Sequence, residues 1–382
     1  MGSPRSPAPV VDRGAVLAHR WRAQELHRPA TGRAGSACAV TALGVADVPA
    51  PAAASALAVR GAAVDGGLAL VWGARGAPAL HRRGDLARLA AATWPLDDAD
   101  AAARVPAQVA GAAALGVGAF TRVALAVREV LAEGGPAAAP GGDGLDKAAL
   151  SAGVTRRVPA ALSHDCAPCG ARHVSGALLQ AAGLAGGAEL VRTGRGTRFR
   201  LLAEVTGPPE RASGTEELVR RYLALLGPAP VADVAAYLGA SARALRAVWP
   251  ADAVELRVRG GDGRERVAFA AGALPGGAPP PRGVRLLPPG DPWLQARDRD
   301  LTVPGRERQR QLWRPVGAPG AVLVDGEVAG TWRASARGRR LLARLAPWDG
   351  EPPLDERVRA GAEAELPLLA AARGLERAAL EG

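Results

Sequence analysis

The chain has 382 residues and a formal net charge of +11, and 47 of its 48 basic residues are arginine. This length is typical of two or three domains, and no run of about 18 apolar, uncharged residues predicts a membrane-spanning helix. Because Lys147 is the only lysine, a Schiff-base mechanism would have to use Lys147 or the terminal amine of Met1.

The N-terminal residues and the cysteines predict a cytoplasmic protein. Residues 1–12 contain no apolar stretch long enough for a signal peptide, and we expect them to form an unstructured tail. Three cysteines, two of them in one CxxC motif, do not make a disulfide framework. A protein this rich in arginine most simply binds a polyanion, so association with the nucleoid is expected, although a GC-rich genome would raise the charge in the same way.

Three segments rich in glycine and proline divide the chain, because such segments do not continue a helix or a central strand. They are residues 134–144, 207–214 and 272–283. The predicted units between them span residues 13–133, 145–206, 215–271 and 283–382.

The first unit is predicted to combine helices with one hairpin. Helices are expected at residues 13–28, 53–60 and 84–93, and a hairpin at residues 68–82 places Arg75 at its tip. The second unit repeats this scheme, and we expect its elements to be two helices and a hairpin. They are helices 145–153 and 171–184 and the hairpin 188–203, which carries Arg192, Arg195, Arg198 and Arg200.

The third unit has the clearest pattern. Helices are predicted at residues 215–226, 230–238 and 241–249, and alternating strands at residues 253–259 and 264–269. Three helices followed by a hairpin form a winged helix, and the first two units are interpreted as less regular copies of it. The third helix carries Arg243 and Arg246, and the hairpin carries Arg257, Arg259, Arg264 and Arg266.

The last unit is predicted to be a small cap of strands with a terminal helix. Strands are expected at residues 283–288 and 339–346, a hairpin at residues 320–333, and a helix at residues 354–374. The pair Asp325-Gly326 is typical of a type I′ turn in such a hairpin. The predicted fold class is therefore α+β, with three tandem winged-helix units, a β-rich C-terminal cap and a terminal helix.

Arginine-tipped hairpins in three units predict that the protein binds double-stranded DNA. Guanidinium groups bind phosphate through two parallel hydrogen bonds and also bind guanine in the major groove. Few exposed aromatic residues are evident, so a platform that stacks single-stranded bases is less expected. We expect a monomer without a cofactor.

The segment 164–173 contains two thiols and two imidazoles. Its donors are His164, Cys166, Cys169 and His173. A zinc site and a redox dithiol at the start of helix 171–184 are both compatible with this composition. The favoured interpretation is a structured turn without metal that enters a recognition helix, with Arg172 or His173 facing the ligand.

Two aspartates are candidates for a general base. Asp47 follows an apolar stretch, and its alternative role is to cap a helix or turn. Asp291 lies in a proline- and glycine-rich turn, where the alternative is simple turn chemistry. No nucleophile elbow, zinc-protease motif, phosphate-binding loop or dinucleotide fingerprint is present.

Four segments resemble a bacterial family of tandem winged-helix DNA-binding proteins that is frequent in actinobacteria. They are residues 164–173, 219–239, 283–301 and 313–333, and the similarity extends from about residue 14 to residue 375. Some members, the AlkZ-like enzymes, are DNA glycosylases that remove alkylated bases and unhook interstrand crosslinks. The resemblance implies three winged helices around a concave face that grips DNA, with a β-rich C-terminal portion.

The glycosylases of this family resemble one another in a Gln-x-Gln or Gln-x-Asp motif that positions water against the sugar, and this chain departs from it. In one register the motif positions are Gly44 and Ala46, and in the other they are Val45 and Asp47. The sequence therefore predicts a DNA-binding protein of glycosylase-like architecture. If it is an enzyme, it is a monofunctional glycosylase that uses Asp47. The alternatives are a non-catalytic regulator or damage sensor, or a zinc or redox protein organised by Cys166 and Cys169.

Overall fold

The structure, a computed structural model, describes residues 8–27, 32–194, 196–272, 274 and 278–381. It confirms the α+β class: helices pack against several separate sheets. No single helix in these ranges is long and apolar enough to cross a membrane. Ala107–Leu115 and Val117–Glu133 have that length and apolarity only as a pair, and a bend of 102° separates them.

The first unit has the predicted helices and hairpin. Its helices are Arg13–Ala23, Ala52–Ala58, Leu86–Ala92, Asp98–Arg104 and Val117–Glu133, and the segment that follows the unit contains the short helix Gly135–Ala138. Its strands are Arg33–Ala34, Val45–Ala46, Ala62–Ala63, Leu68–Trp72 and Pro78–Arg82, and the strand Val10–Asp12 immediately precedes the unit.

The expectation of an unstructured tail over residues 1–12 was wrong in its last part. Val10–Asp12 is a strand that runs parallel to residues 257–259, and Arg257 N–H donates to the carbonyl oxygen of Pro9 over 2.9 Å. This strand could not be predicted from the sequence, because three residues are too few to show the alternation of apolar and polar side chains that marks a strand. Residues 1–7 lie outside the described ranges.

In the second unit, the second helix is shorter than predicted, and one hairpin was not predicted. Its helices are Lys147–Thr155 and Gly176–Gly183, and its strands are Leu145–Asp146, Ser163–Cys166, Ala171–Val174, Ala188–Thr193 and Gly196–Leu201. The prediction of a helix from residue 171 was wrong, because Ala171–Val174 pairs with Ser163–Cys166. Gly170, at φ +60°, adopts the left-handed conformation that turns the chain back between the two strands.

The hairpins of the first two units belong to one six-stranded sheet. Its strand order is Val45–Ala46, Pro78–Arg82, Leu68–Trp72, Ala188–Thr193, Gly196–Leu201 and Leu145–Asp146. Glu189 pairs with Val71 where the two hairpins meet. Helix Val117–Glu133 buries Phe120, Val123 and Val127 in the same core, so the two units share one hydrophobic interior.

The third unit follows the predicted boundaries closely. Its helices are Thr215–Leu226, Val231–Leu238 and Ala242–Ala247, and its strands are Val254–Arg259 and Glu265–Ala270. Gly239, at φ +73°, ends the second helix, and the Ser241 hydroxyl caps the third by accepting the Ala244 N–H over 3.1 Å. Local turn and capping residues therefore fix these elements.

The C-terminal unit is a five-stranded sheet covered by a helix. In sheet order its strands are Val284–Leu287, Gly320–Val324, Glu327–Arg337, Arg340–Pro347 and Arg377–Leu380, and its helices are Arg299–Thr302, Arg306–Leu312 and Glu356–Ala371. Asp325 and Gly326 have φ values of +49° and +85°, as a type I′ turn requires. The strand Arg377–Leu380 was not predicted.

A buried ion pair joins this unit to the first one. The side chains of Arg60 and Asp291 are both fully buried. The Arg60 guanidinium donates to the two carboxylate oxygens of Asp291 over 2.8 and 2.9 Å. Asp291 Oδ1 also accepts the Trp293 N–H over 2.9 Å, as its position in a turn predicts. Asp291 therefore anchors two units to each other.

Candidate functional site

Asp47 lies at the end of strand Val45–Ala46 and is 7 % exposed. Its Oδ1 accepts the N–H of Ala53, in the first turn of helix Ala52–Ala58, over 3.2 Å. Its Oδ2 lies 3.4 Å from Nε of Arg192, which also donates from Nη2 to the Asp47 carbonyl over 3.1 Å. The carboxylate thus meets a helix terminus on one side and a basic hairpin on the other.

Position 44 leaves no room for a side chain. Gly44 has φ +88°, and an added Cβ would overlap the imidazole ring of His81. A glutamine at this position would have to displace that ring, so the register that begins at Gly44 provides no functional group. Val45 is fully buried in a separate apolar cluster. Asp47 is therefore the polar side chain that this segment retains.

His81 is a buried polar residue that sequence reasoning missed. It is 3 % exposed, and its Nε2 has no hydrogen-bond partner among the described residues. Burial lowers the pKa of His81 to about 4, which keeps the imidazole neutral near pH 7. An added Cβ at Gly73 would lie 2.9 Å from Nε2, so two glycines make room for the ring.

A small cavity of about 40 Å³ lies next to the motif segment. Gly44 and Ala46 line one side of it, and His81, Tyr237 and Gln295 line others. Gln295 donates from Nε2 to the carbonyl oxygen of Gly290 over 3.3 Å. The cavity therefore places an amide from the C-terminal unit near positions where the family's motif carries amides.

Arg75 links this cavity to the third unit. It lies in the turn of the first hairpin, as predicted, at φ +59°, and it also lines the cavity. Its Cγ is 2.8 Å from where a Cβ on Gly239 would stand. Burial of its inner part and the charge of Arg297 lower the pKa of Arg75. Arg75 of the first hairpin thus lies close enough to Arg297 of the C-terminal unit for their charges to repel each other.

The arginines of the second hairpin differ in what they contact. Arg192 binds Asp47, and its Nη1 also donates to the Thr197 hydroxyl over 2.8 Å. Arg200 pairs with buried Glu189 over 2.6 Å, and Arg198 donates to the Gly144 carbonyl over 2.9 Å. The structure therefore uses Arg198 and Arg200 to hold the hairpin in place. Arg195 lies outside the described residues.

The arginines of the third unit lie at the surface. Arg243, Arg246, Arg257, Arg259, Arg264 and Arg266 are all exposed. Arg257 and Arg259 flank Glu265 at 3.5 and 2.9 Å, and both side chains are more than half exposed. Arg243 is 3.4 Å from Asp97. Because such exposed ion pairs are worth about 0–1 kcal/mol, these guanidinium groups are free to exchange a carboxylate for a phosphate.

A cleft of about 540 Å³ separates the third hairpin from residues 297–306. Its arginines are Arg264, Arg266, Arg297, Arg299 and Arg306. Arg299 stacks 4.8 Å from the centroid of the Trp313 ring, and Asp298 on the cleft wall is bound by buried Arg20. Sequence reasoning missed Arg297, Arg299 and Arg306, although the alternating charges of residues 297–300 were a signal for them.

The segment 164–173 is a β-hairpin. His164 and His173 are direct partners across it, and their ring centroids are 4.9 Å apart. Arg172 donates to the Ala160 and Ser163 carbonyls over 3.0 and 3.3 Å and is 3.3 Å from Asp165. The interpretation as a turn that leads directly into a helix at residue 171 was therefore wrong, since a full strand intervenes.

Comparisons with known proteins agree with this architecture. The sequence profile of the family described as "DNA glycosylase AlkZ-like" matches residues 17–378. The solved structure of the Streptomyces sahachiroi DNA glycosylase AlkZ is similar, with a TM-score of 0.63 over 97 % of this chain and 99 % of that one, at 20 % sequence identity. At that identity the likeness shows a shared fold. No curated protein sequence matches.

Proposed function

Because the chain belongs to the AlkZ-like DNA glycosylase family, we propose that it binds duplex DNA and recognises alkylated bases in it. In this proposal the three units before residue 272 act as tandem winged helices, and the exposed arginines among them contact the phosphate backbone. The C-terminal unit adds Arg297, Arg299 and Arg306 to the same surface. The family supports the substrate class, and the exposed arginines support its duplex form.

One observation carries the proposal: Arg192 meets Asp47 although the two residues are 145 positions apart. Arg192 was a candidate for phosphate binding and Asp47 a candidate for catalysis, for unrelated reasons. Their meeting places a carboxylate directly beneath a basic hairpin. A duplex held by that hairpin would bring a sugar close to Asp47.

The carboxylate has a defined task in such a site. Hydrolysis of an N-glycosidic bond forms a bond from the water oxygen to C1′ of the sugar. The bond from C1′ to the base nitrogen breaks, and its electron pair leaves with the nitrogen. Asp47 would orient the water, accept its proton and stabilise the positive charge that develops on the sugar. An N7-alkylated base leaves readily because it already carries a positive charge, so one carboxylate is sufficient for slow excision.

A second candidate function is damage recognition without excision. The carboxylate oxygens of Asp47 already interact with Ala53 N–H and Arg192, and Gly44 leaves no space for a motif glutamine. In that case the protein binds alkylated duplexes and leaves the base in place. For the first function we therefore expect excision slower than that of a dedicated glycosylase, with binding retained.

Duplex binding is tested by fluorescence anisotropy over a range of salt concentrations. The logarithm of affinity should fall linearly with the logarithm of salt, by about 0.9 for each phosphate neutralised. Arg257→Gln with Arg259→Gln should reduce that slope by about 1.8. A duplex with one N7-methylguanine should bind more tightly than the unmodified duplex.

The matched control changes the same charge elsewhere. Arg337→Gln with Arg339→Gln removes two exposed arginines at a turn between two strands of the C-terminal sheet and should leave the slope as it is in the wild type. An equal loss of slope in both double variants would mean that the third hairpin has no specific role. Failure of the wild type to bind duplex DNA at low salt would overturn the proposal.

A further inference from the structure

The geometry points to a structural zinc site in the hairpin 163–174, with His164, Cys166, Cys169 and His173 as its four ligands. This inference goes beyond the proposed function and does not depend on it. It replaces the expectation from sequence that the segment holds no metal.

Strand pairing brings the donors together. The ligand atoms of His164, Cys166 and His173 all lie within 4.8 Å of one another. Cys169 follows Cys166 by three residues and ends the turn between the two strands, which is the CxxC spacing with which two thiols bind one zinc ion. Two imidazole nitrogens and two thiol sulfurs match the tetrahedral donor set that zinc prefers.

The histidines are prepared to act as ligands. His173 Nδ1 lies 2.8 Å from the carbonyl oxygen of Val174, a contact in which Nδ1 carries the proton and Nε2 keeps its lone pair. His164 Nδ1 is buried and has no hydrogen-bond partner among the described residues. A buried nitrogen without a partner destabilises the fold, and metal coordination or reorientation of the ring toward the metal would remove that cost.

The turn has the shape of a metal-binding knuckle. Cys166 precedes a single turn of 3-10 helix, Ala167–Cys169, of which Cys169 is the last residue, and Gly170 follows at φ +60°. One tight turn therefore carries both thiols and leads directly into the strand that carries His173. All three cysteines of the chain are free thiols, and the third, Cys38, is fully buried in a different apolar cluster.

The structure weakens the redox alternative. That interpretation required a helix N-terminus beside the dithiol, because a helix N-terminus lowers a thiol pKa. Helix Gly176–Gly183 instead begins seven residues after Cys169, beyond the whole strand Ala171–Val174. The cluster therefore lacks the helix on which a reactive dithiol was inferred.

Zinc would fix the hairpin against the core of the second unit. The hairpin is tied to helix Lys147–Thr155 by Val174 N–H, which donates to the Thr155 hydroxyl over 2.9 Å. At its other end the turn carries exposed Cys169 and no apolar side chain that is buried. A metal ion at this end would stabilise the turn, which has no buried apolar side chain to hold it in place.

The test is elemental analysis of the full-length protein, expressed with added zinc and purified under reducing conditions. We expect about one zinc per chain in the wild type, and a large loss in Cys166→Ser and in Cys169→Ser. Cys38→Ser is the matched control and should keep its zinc. Reconstitution with cobalt(II) should give the visible bands of a tetrahedral site with thiolate ligands in the wild type and in Cys38→Ser.

A measurement on the wild type covers the case in which a cysteine variant does not fold. Modification of its thiols should release the zinc, and removal of zinc by a chelator should lower the unfolding temperature, because a ligand that binds only the folded state stabilises it. His173→Asn should weaken binding without removing a thiol.

Three results would overturn the inference. The first is that the reduced wild type takes up no more zinc than Cys166→Ser, and the second is that it releases no zinc when its thiols are modified. The third is a disulfide between Cys166 and Cys169 whose reduction restores no zinc binding, which would favour a redox pair.

Discussion

The buried pair Arg60–Asp291 allows a quantitative prediction about how the units are held together. Asp291→Asn keeps the size of the side chain but leaves the Arg60 guanidinium without a counter-charge in a site where both side chains are fully buried. Removing one partner of such a pair costs about 3–5 kcal/mol. At about 2.1 cal/mol/K per residue, a chain of 382 residues has an unfolding entropy near 0.8 kcal/mol/K, so Tm should fall by about 4–6 °C.

A double variant separates the charge from the packing. Arg60 also donates to the Gln24 carbonyl, the Gln24 side chain and the Ala56 carbonyl over 2.9, 3.1 and 2.8 Å. Replacing both partners, as in Arg60→Met with Asp291→Leu, removes the unpaired charge. The loss of unfolding free energy in this double variant should therefore be smaller, by about 1–3 kcal/mol, than the summed losses of Arg60→Met and Asp291→Leu made singly.

The assay is urea unfolding followed by tryptophan fluorescence, with Tm from calorimetry. Asp143→Asn, in an exposed linker, is the control for the chemical change and should stay within about 0.5 kcal/mol of the wild type. If Asp291→Asn costs less than about 1 kcal/mol, or if the single losses are additive, the pair does not join the units in the way described.

Three further predictions concern buried residues near the site and in the cap, and all are measured by urea unfolding. Burial lowers the pKa of His81 to about 4 from 6.5, so the unfolded chain binds the proton first, and wild-type stability relative to His81→Gln should fall by roughly 3 kcal/mol as pH falls through that interval. Burial raises the pKa of Glu365 to about 7 from 4.5, against the effect of Arg285 at 3.4 Å, so wild-type stability relative to Glu365→Gln should fall by roughly 3 kcal/mol as pH rises through that interval. Differences that do not change with pH, or that have the opposite sign, would contradict these two assignments. Gly44→Ala should cost about 2–5 kcal/mol, because it adds left-handed strain and an overlap with the His81 ring, and a neutral effect would show that the ring is free to move.

The elements that the sequence predicted well have local causes. Gly227-Pro228, Gly239 and Ser241 mark the ends of helices in the third unit, and Asp325-Gly326 determines a turn in the last one. Each of these signals acts within a few residues, so neither burial nor long-range pairing had to be known.

The parts that were missed depend on distant pairing. Glu189 meets Val71 to join two hairpins in one sheet, and no local pattern encodes that partnership. Likewise, residues 171–174 became a strand because residues 163–166 were there to pair with them. The apolar period of helix Gly176–Gly183 does not extend back to Arg172, and that was the available signal against a longer helix.

The site shows the same division. The sequence identified Asp47 and the cysteine–histidine segment from residue type and spacing, but not the contact between Asp47 and Arg192. His81 and Gln295 carried no sequence signal, because their interest lies in burial and in a shared cavity between units. Asp291 was identified as a turn residue, but its ion pair with Arg60 joins distant parts of the chain and could be found only from the three-dimensional structure.

The most direct test of the proposed function is a single-turnover time course of excision on duplex DNA that carries one N7-methylguanine. Wild type, Asp47→Asn and the control Asp143→Asn are compared at equal saturation, with binding measured by anisotropy in the same buffer. We expect slow excision by the wild type and by Asp143→Asn, a rate about 10²–10⁴-fold lower for Asp47→Asn, and similar binding by all three. Excision that proceeds equally fast in Asp47→Asn would contradict the assignment of Asp47 as the group that activates water.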